Sequence, residues 1–222
     1  FDMYPLRVLL FSFSFFLILS NFSQDPALFT SIDNGDWDDV TASTPWSITG
    51  TDSDGIPDSD DTIIVDHRIT CSSSANSLIA EFRISTSGSI VLDPTYRLQV
   101  WGQNQNSTIN GAGAINGPGL LNFVRSHTVS GTGGVSNLSL QINNWYVYFD
   151  IDMNVNDVYL TSGSGFELAS GNTMTIDGPF TKTSSPQLVE NLGTFVINHP
   201  DFMTSYTTPE DELYTATGNI EY

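Results

Sequence analysis

The chain has 222 residues, of which 25 are acidic and six are Lys or Arg, so its formal net charge at pH 7 is −19. This charge repels nucleic-acid phosphates and anionic lipid headgroups, and it argues against nucleic acid as a partner and against membrane insertion of the mature chain. Charged residues make up only 14% of the sequence. An abundance of Ser, Thr, Asn and Gly is typical of extended β structure rather than of helices.

Residues 1–23 are expected to form a secretory signal peptide that lies outside the fold. The apolar run over residues 8–19 is broken only by Ser12 and Ser14. A membrane span needs about 20 such residues, so the run fits the hydrophobic region of a signal better than a span. We therefore expect a secreted protein, located outside the cell or at the cell surface. An N-terminal membrane anchor is the alternative.

Residues 24–61 are interpreted as an N-terminal cap followed by an acidic loop. Phe29, Trp37 and Trp46 stand here among Asp and Thr residues without a clear period. A solenoid has an open first turn, and aromatic side chains that close it are the favoured interpretation. An exposed aromatic platform for sugars is the alternative.

The acidic loop is the best candidate for a metal site in the sequence. Its segment GTDSDGIPDSDD places five carboxylates around Gly55 and resembles a thrombospondin type 3 calcium repeat. Oxygen ligands on a loop kinked by glycine suit Ca²⁺, although the first position of an EF-hand-like loop would be Gly50, which weakens the site. The pattern predicts a weak Ca²⁺ site, with a solvated acidic turn as the alternative. The predicted ligands are Asp52, Asp54, Asp58 and Asp61.

Residues 62–222 are predicted to form a right-handed parallel β-solenoid, with a β-sandwich as the alternative. Apolar residues alternate with polar ones over short segments, and glycines fall between the segments. About eight coils of about 22 residues each would accommodate the mature chain. The first predicted strands are Thr62–Val65, Arg68–Cys71, Ser77–Ile84, Ser89–Leu92 and Tyr96–Trp101. The predicted inward residues are Ile64, Leu78, Phe82, Ile84, Ile90, Leu98, Leu138, Leu140, Phe149, Leu160, Leu168 and Ile176.

Two further patterns concern the corners and the end of the chain. The pair Asn143-Asn144, and Asn106 with Asn110, are expected at turns, where Asn tolerates left-handed backbone. Residues 182–214 are expected to be an irregular excursion, after which the segment TATGNIEY begins another strand. The pattern predicts that the chain is truncated at its C-terminus.

The order of these elements resembles a family of secreted proteins. From Trp37 to Trp101 the sequence reads W…W…GIPDSDDTIIV…ITC…NSLIAEFRI…SGSIVL…LQVWG. This is similar to the turn–strand pattern of β-solenoid, adhesin-like surface proteins of Bacteroidetes-type bacteria, and to the eight-glycine domain of extracellular surface proteins. The resemblance implies a surface or secreted adhesin-like protein.

Catalytic patterns are weak in this sequence. Asp150 and Asp152 are expected on one strand face and could act as paired carboxylates, although a turn-ending role is favoured. His67, His127 and His199 are far apart, and the lone Cys71 is expected to be a buried, unreactive thiol.

We therefore expect a non-catalytic structural or adhesion module with glycans or cell-surface ligands as partners. Tyr146 and Tyr148 are expected to share one side of their strand, with Trp145 on the other side, and all three are candidates either for sugar stacking or for the core. The alternative function is that of a fragment of a carbohydrate-active β-helix enzyme, a polysaccharide lyase or hydrolase.

Overall fold

The computed structural model describes residues 26–52, 54–72, 76–161, 163–182, 189–199 and 219–221. These residues contain strands and no helix, so no described segment could cross a membrane as a helix. The strands are β1 (Leu28–Ser31), β2 (Gly35–Asp36), β3 (Trp46–Thr49), β4 (Thr62–Val65), β5 (Arg68–Cys71), β6 (Asn76–Ile79), β7 (Glu81–Ile84), β8 (Ser89–Leu92), β9 (Arg97–Val100), β10 (Gln105–Ile109), β11 (Ala114–Asn116), β12 (Leu120–Phe123), β13 (His127–Gly131), β14 (Gly134–Ile142), β15 (Tyr146–Asp150), β16 (Met153–Leu160), β17 (Gly165–Leu168), β18 (Thr173–Ile176), β19 (Phe180–Lys182), β20 (Val189–Asn191), β21 (Thr194–Ile197) and β22 (Asn219–Glu221).

The strands stack as a parallel β-solenoid, which confirms the predicted fold class. Each turn contributes one strand to a sheet that runs β4-β7-β10-β13-β15-β17-β20, which we call sheet A. The next strands of each turn form a second, larger sheet with two arms, one through β5-β8-β11 and one through β6-β9-β12. Both arms join at β14, which pairs with β11 and with β12. Among the strand pairs of the described residues, only β1–β3 is antiparallel.

Six complete turns lie between β4 and β19, and partial turns flank them at both ends. The described residues therefore form fewer full turns than the eight coils that we expected. Residues that pair in strand register between adjacent full turns are 17 to 25 positions apart, for example Leu138 with Val155 and Arg83 with Thr108. The predicted length of about 22 residues per turn falls within this range.

The core is the interior of the coil, and the two-residue alternation of each strand fills it. Ten of the twelve predicted inward residues are buried, but Ile64 and Leu78 are wrong, since both are only partly buried. In β4 the apolar run TIIV fits either register, and Ile63 and Val65 take the inward positions. In β6 the inward position next to Ile79 is Ser77, whose hydroxyl bonds the Tyr96 hydroxyl inside the core.

Two predicted segments also have different boundaries. The strand predicted over residues 77–84 is two strands, β6 and β7, because the chain turns a corner at Ala80. Residues 189–197 are not irregular, since β20 and β21 continue both sheets there. The strand expected in TATGNIEY is present as β22, which pairs with β21. The predicted signal peptide and residues 200–214 lie outside the described residues.

The corners need residues that tolerate unusual backbone. Asn144 has a φ of 59°, as its position in the pair Asn143-Asn144 predicts. Asn110 follows β10, whereas Asn106 lies within that strand and was wrongly placed at a turn. Gly131 has a φ of +133°, and a Cβ there would come within 2.0 Å of the Ile109 carbonyl oxygen. A side chain at Gly131 would therefore force adjacent turns apart.

Aromatic side chains fill the N-terminal end of the core. Trp37, Trp46 and Phe29 are buried, and the Trp46 ring meets the other two edge to face at 5.5 and 6.0 Å between centroids. The Trp46 indole N–H also donates to the Trp37 carbonyl at 2.9 Å. These three rings are therefore part of the core and do not form an exposed platform for sugars.

Candidate functional site

The acidic loop is built around Asp61, which is buried just before β4. One carboxylate oxygen of Asp61 accepts the N–H of Ala27 at 2.7 Å, and the other accepts the N–H of Asp58 at 2.7 Å. Burial raises the pKa of Asp61, and the Asp58 and Ala27 amides oppose that effect. Asp61 therefore links the loop to the backbone just before β1, and this link does not depend on a bound cation.

The loop brings together a different set of carboxylates from the predicted one. Asp58, Asp60 and Asp61 each have an oxygen within 4.8 Å of the others. Burial raises the pKa of Asp60 to about 6, with further contributions from its hydrogen bond to Asp58 and the charges of Asp58 and Asp61. Asp52 and Asp54 instead accept the backbone N–H groups of Gly55 and Ile56 in local turns. Of the four predicted ligands, the described cluster contains Asp58 and Asp61, together with Asp60, which was not among them.

Asp150 and Asp152 lie at the corner between β15 and β16. Asp150 ends β15, so Asp152 lies beyond the strand and the two do not share a strand face as predicted. Asp150 accepts a hydrogen bond from the Asn172 amide at 2.8 Å, and Asp152 accepts the N–H of Thr173 at 2.7 Å. Both carboxylates therefore attach one turn to the next, in agreement with the turn-ending role.

The shorter of the two Ser–His side-chain contacts among the described residues is buried inside the core. His127 Nε2 lies 2.8 Å from Ser107 Oγ, and both residues are buried. His127 Nδ1 must donate to the Gly102 carbonyl at 3.1 Å, so Nε2 accepts the Ser107 hydroxyl. Burial lowers the pKa of His127 to about 4. This pair satisfies buried polar atoms and has no route to a substrate.

A stack of cationic and aromatic side chains lies on the outside of the solenoid. Arg125, which follows β12, lies between two indole rings, with its Cζ 5.5 Å from the Trp101 ring centroid and 5.4 Å from that of Trp145. Trp101 follows β9 and Trp145 precedes β15, so the three side chains come from the same corner of three successive turns. Cation–π contacts of this kind hold the guanidinium and both rings in place. We call these three residues the corner stack.

A ladder of amide side chains precedes the corner stack on the same turns. The Asn143 amide donates to Asn122 at 2.9 Å, and the Asn122 amide donates to Gln99 at 3.3 Å. These residues lie two or three positions before Trp145, Arg125 and Trp101 respectively. The ladder fixes the register of the corner, so the stack is presented by a rigid support.

Tyrosine and glutamate side chains continue this surface on the outer face of sheet A. Tyr146 and Tyr148 alternate with the buried Val147 and Phe149, so both point outward. Tyr148 pairs in register with Glu167, and Glu167 pairs with Glu190 on the next strand. Adjacent strands are about 4.8 Å apart, so these side chains form a continuous row. We call Tyr146, Tyr148, Glu167 and Glu190 the tyrosine–glutamate patch.

The pKa values of Tyr146, Tyr148 and Glu167 in the patch are all raised, by burial and by neighbouring carboxylates. Burial raises the pKa of Tyr146, and the charges of Glu167 and Glu190 raise it further. Burial also raises the pKa of Tyr148, with contributions from Asp150 and Glu167. The pKa of Glu167 is raised by burial and by Glu190. Both phenols therefore keep their protons at neutral pH and can donate hydrogen bonds, while the carboxylates can accept them.

Sequence reasoning placed Tyr146 and Tyr148 on one side of their strand, left open whether that side faces the core, and missed the corner stack. Trp145 is neither on the opposite face of β15 nor in the core, because the strand begins one residue later. The separations between Trp101, Arg125 and Trp145 are close to one solenoid turn, which was the signal available in the sequence. The glutamates were not detectable without the register of β15, β17 and β20.

No family model matches this chain, and no curated protein or solved structure matches it at a significant level. Its function is therefore inferred from the geometry of its own residues.

Proposed function

We propose that the protein is a non-catalytic structural and adhesion module that is secreted or held at the cell surface and binds glycans through one lateral face. That face consists of the corner stack and the tyrosine–glutamate patch. The observation that carries the proposal is the stack of Trp101, Arg125 and Trp145 beside two outward tyrosines, in which Trp101 is exposed and the other two are half-buried. The turn–strand pattern of the sequence also resembles that of adhesin-like surface proteins.

The chemistry of this face suits sugars. Indole and phenol rings offer a flat apolar surface together with a polar group, which matches the mixed apolar and hydroxyl faces of a pyranose ring. The Trp101 side chain remains 38% exposed although it contacts Arg125. Tyr148, Glu167 and Glu190 supply donors and acceptors along the row for sugar hydroxyls. Because a solenoid presents such groups at a fixed spacing, little ordering energy is lost on binding.

A glycan array tests the proposal. The wild-type protein should bind at least one class of glycan, and a Trp145→Ala/Tyr148→Ala variant should lose that binding. Tyr159→Ala is the matched control, since Tyr159 is also exposed but lies on β16, outside sheet A. Loss of binding in the control, or unchanged binding in the double variant, would contradict the assignment of the face.

A carbohydrate-active enzyme is the second candidate, and one observation favours it. Glu167 and Glu190 are paired in register on adjacent strands, and the pKa of Glu167 is raised. Retaining glycosidases use two carboxyl groups about 5 Å apart, one of which must hold a proton. If the purified protein releases reducing ends from a polysaccharide and Glu167→Gln abolishes the release, the enzyme function replaces the adhesion function.

Weak calcium binding at the acidic loop is also proposed, with Asp58, Asp60 and Asp61 as ligands. Their mutual repulsion, which contributes to the raised pKa of Asp60, would be relieved by a divalent cation. The affinity expected of an extracellular module of this kind is about millimolar. Calcium at this loop would stabilise the N-terminal end of the solenoid and would not contact the glycan face.

A further inference from the structure

The guanidinium of Arg125 is held by aromatic rings rather than by a carboxylate. Acidic residues outnumber basic ones by 25 to six in this chain, yet ion pairs are scarce among the described residues. Within the described ranges, the one ion pair joins Arg83 to Glu81. Arg125 has indole rings on both sides and no carboxylate partner among the described residues.

The hydrogen-bonding groups of Arg125 reach solvent. In the part of the chain that the structure describes, Trp37 Nε1 and Asn191 Oδ1 are the buried polar side-chain atoms without a partner. The guanidinium nitrogens of Arg125 are not among them and make no hydrogen bond to a described residue. Its N–H groups therefore point to the surface, while the ring contacts restrict the orientation of the guanidinium plane. A planar guanidinium held in this way is suited to bidentate binding of a carboxylate.

We propose that the corner stack is a carboxylate-binding subsite, and that the glycans bound at this face carry an acidic sugar such as a uronic acid. The inference rests on the proposed glycan-binding function and adds the chemical class of the ligand. Arg125, held between the two indoles, would bind the carboxylate of the acidic sugar at the solvent-facing edge of the corner stack. The neighbouring row would contact uncharged sugars through their hydroxyl groups.

The surroundings also limit how acidic the ligand can be. Glu167, Glu190 and Asp150 lie on the same lateral face, and they would repel a second carboxylate placed over the row. The net charge of −19 opposes densely charged polyanions in general. The expected ligand is therefore a largely neutral glycan with isolated acidic residues, rather than a polyuronate or a heavily sulfated chain.

The test compares a tetrasaccharide that contains one uronic acid with the same tetrasaccharide after reduction of its carboxyl group. Calorimetry should show that the wild-type protein binds the acidic form about tenfold more tightly or better, since a charge-assisted bidentate bond is lost in the reduced form. Arg125→Gln should remove this preference, and Arg125→Lys should retain only part of it, because the ammonium lacks the planar pair of donors. Arg68→Gln is the control for charge, since Arg68 is exposed on β5 in the other sheet.

Each outcome has a separate meaning. Equal binding of the two tetrasaccharides by the wild-type protein would overturn the carboxylate subsite and leave the glycan function intact. Binding of neither would contradict both. If Arg125→Gln lowers the melting temperature but keeps the tenfold preference, Arg125 only braces the corner and the inference is wrong. An equal loss of preference in Arg68→Gln would assign the effect to overall charge, which also contradicts the subsite.

Discussion

The buried imidazole of His127 should make the solenoid sensitive to acid. His127 is 4% exposed and lies between aromatic rings, with centroid distances of 5.5 Å to Phe123 and 6.4 Å to Phe82. Burial lowers its pKa to about 4, from an ordinary value of 6.5, and its bond to the Gly102 carbonyl only partly opposes this. The unfolded chain therefore binds a proton more tightly than the folded chain does. The part of the folding stability that depends on a neutral His127 is fully present above pH 6.5 and is lost as the pH falls toward 4.

The magnitude follows from the two pKa values. At about 1.4 kcal/mol per pH unit, the full loss is about 3 kcal/mol, and about 2 kcal/mol of it has occurred by pH 5. A typical domain has only about 5–15 kcal/mol of stability, so this effect should be easy to measure. The raised pKa values of Asp60 and Glu167 act in the opposite direction, because their folded forms hold protons to a higher pH.

A comparison between variants separates these contributions. His127→Phe replaces the imidazole with an aromatic ring that cannot be protonated. All acidic groups stay the same. The unfolding free energy of both proteins is measured by urea titration at pH 7 and pH 5. Between these pH values the wild type should lose about 2 kcal/mol more than His127→Phe does. Ser107→Ala is the control, since it removes the hydrogen bond to His127 but keeps the imidazole, and it should show the same pH dependence as the wild type. A difference that is constant between pH 7 and pH 5 would refute the assignment.

The remaining predictions concern the acidic loop and the core. Asp60→Asn should raise the melting temperature at pH 7 and give almost no gain at pH 4. The raised folded-state pKa destabilises the protein progressively as the pH rises from the ordinary value of 3.8 to about 6, and fully above that. An equal gain at both pH values would exclude charge as the cause. Calcium at about 10 mM should raise the melting temperature of the wild type but not of Asp58→Ala/Asp60→Ala, and an unchanged wild type would leave the loop as a solvated turn. Phe149→Ala should cost about 3–5 kcal/mol of unfolding free energy in urea, since its ring packs between those of Phe123 and Phe166 at 5.8 Å, and a loss below 1 kcal/mol would contradict that packing. Gly131→Ala should lower the melting temperature, because its Cβ would collide with the Ile109 carbonyl, whereas the same change at the uncrowded Gly134 should have little effect.

The parallel stacking was predictable because it follows from short alternating segments with Gly and Asn between them. Strands such as Arg68–Cys71 and Ser89–Leu92 match the structure residue for residue. The wrong inward residues lie where alternation is ambiguous. Ile64 belongs to a run of three apolar residues, so either register would bury apolar side chains. At Leu78 the inward position is taken instead by Ser77, whose hydroxyl bonds the Tyr96 hydroxyl inside the core.

The site was harder to predict because it depends on which residues meet across turns. Residues paired between adjacent full turns are 17 to 25 positions apart. The separations of 24 and 20 residues within the corner stack are compatible with one turn each, but a spacing so variable does not single out these three residues. The acidic loop shows a second limit of sequence patterns. A pattern of carboxylates predicted four ligands, yet the Asp52 and Asp54 side chains bond local backbone amides instead of converging with Asp58.

The indole N–H signals of the protein offer the most direct test of the glycan face. The chain has four Trp residues. Trp37 and Trp46 are buried in the N-terminal cap and serve as internal controls, while Trp101 and Trp145 flank Arg125 on the surface. In ¹H–¹⁵N spectra recorded during titration with a bound glycan, the Trp101 and Trp145 signals should shift in a saturable manner and the Trp37 and Trp46 signals should stay in place. Saturable binding with no shift at Trp101 and Trp145 would contradict the proposed face.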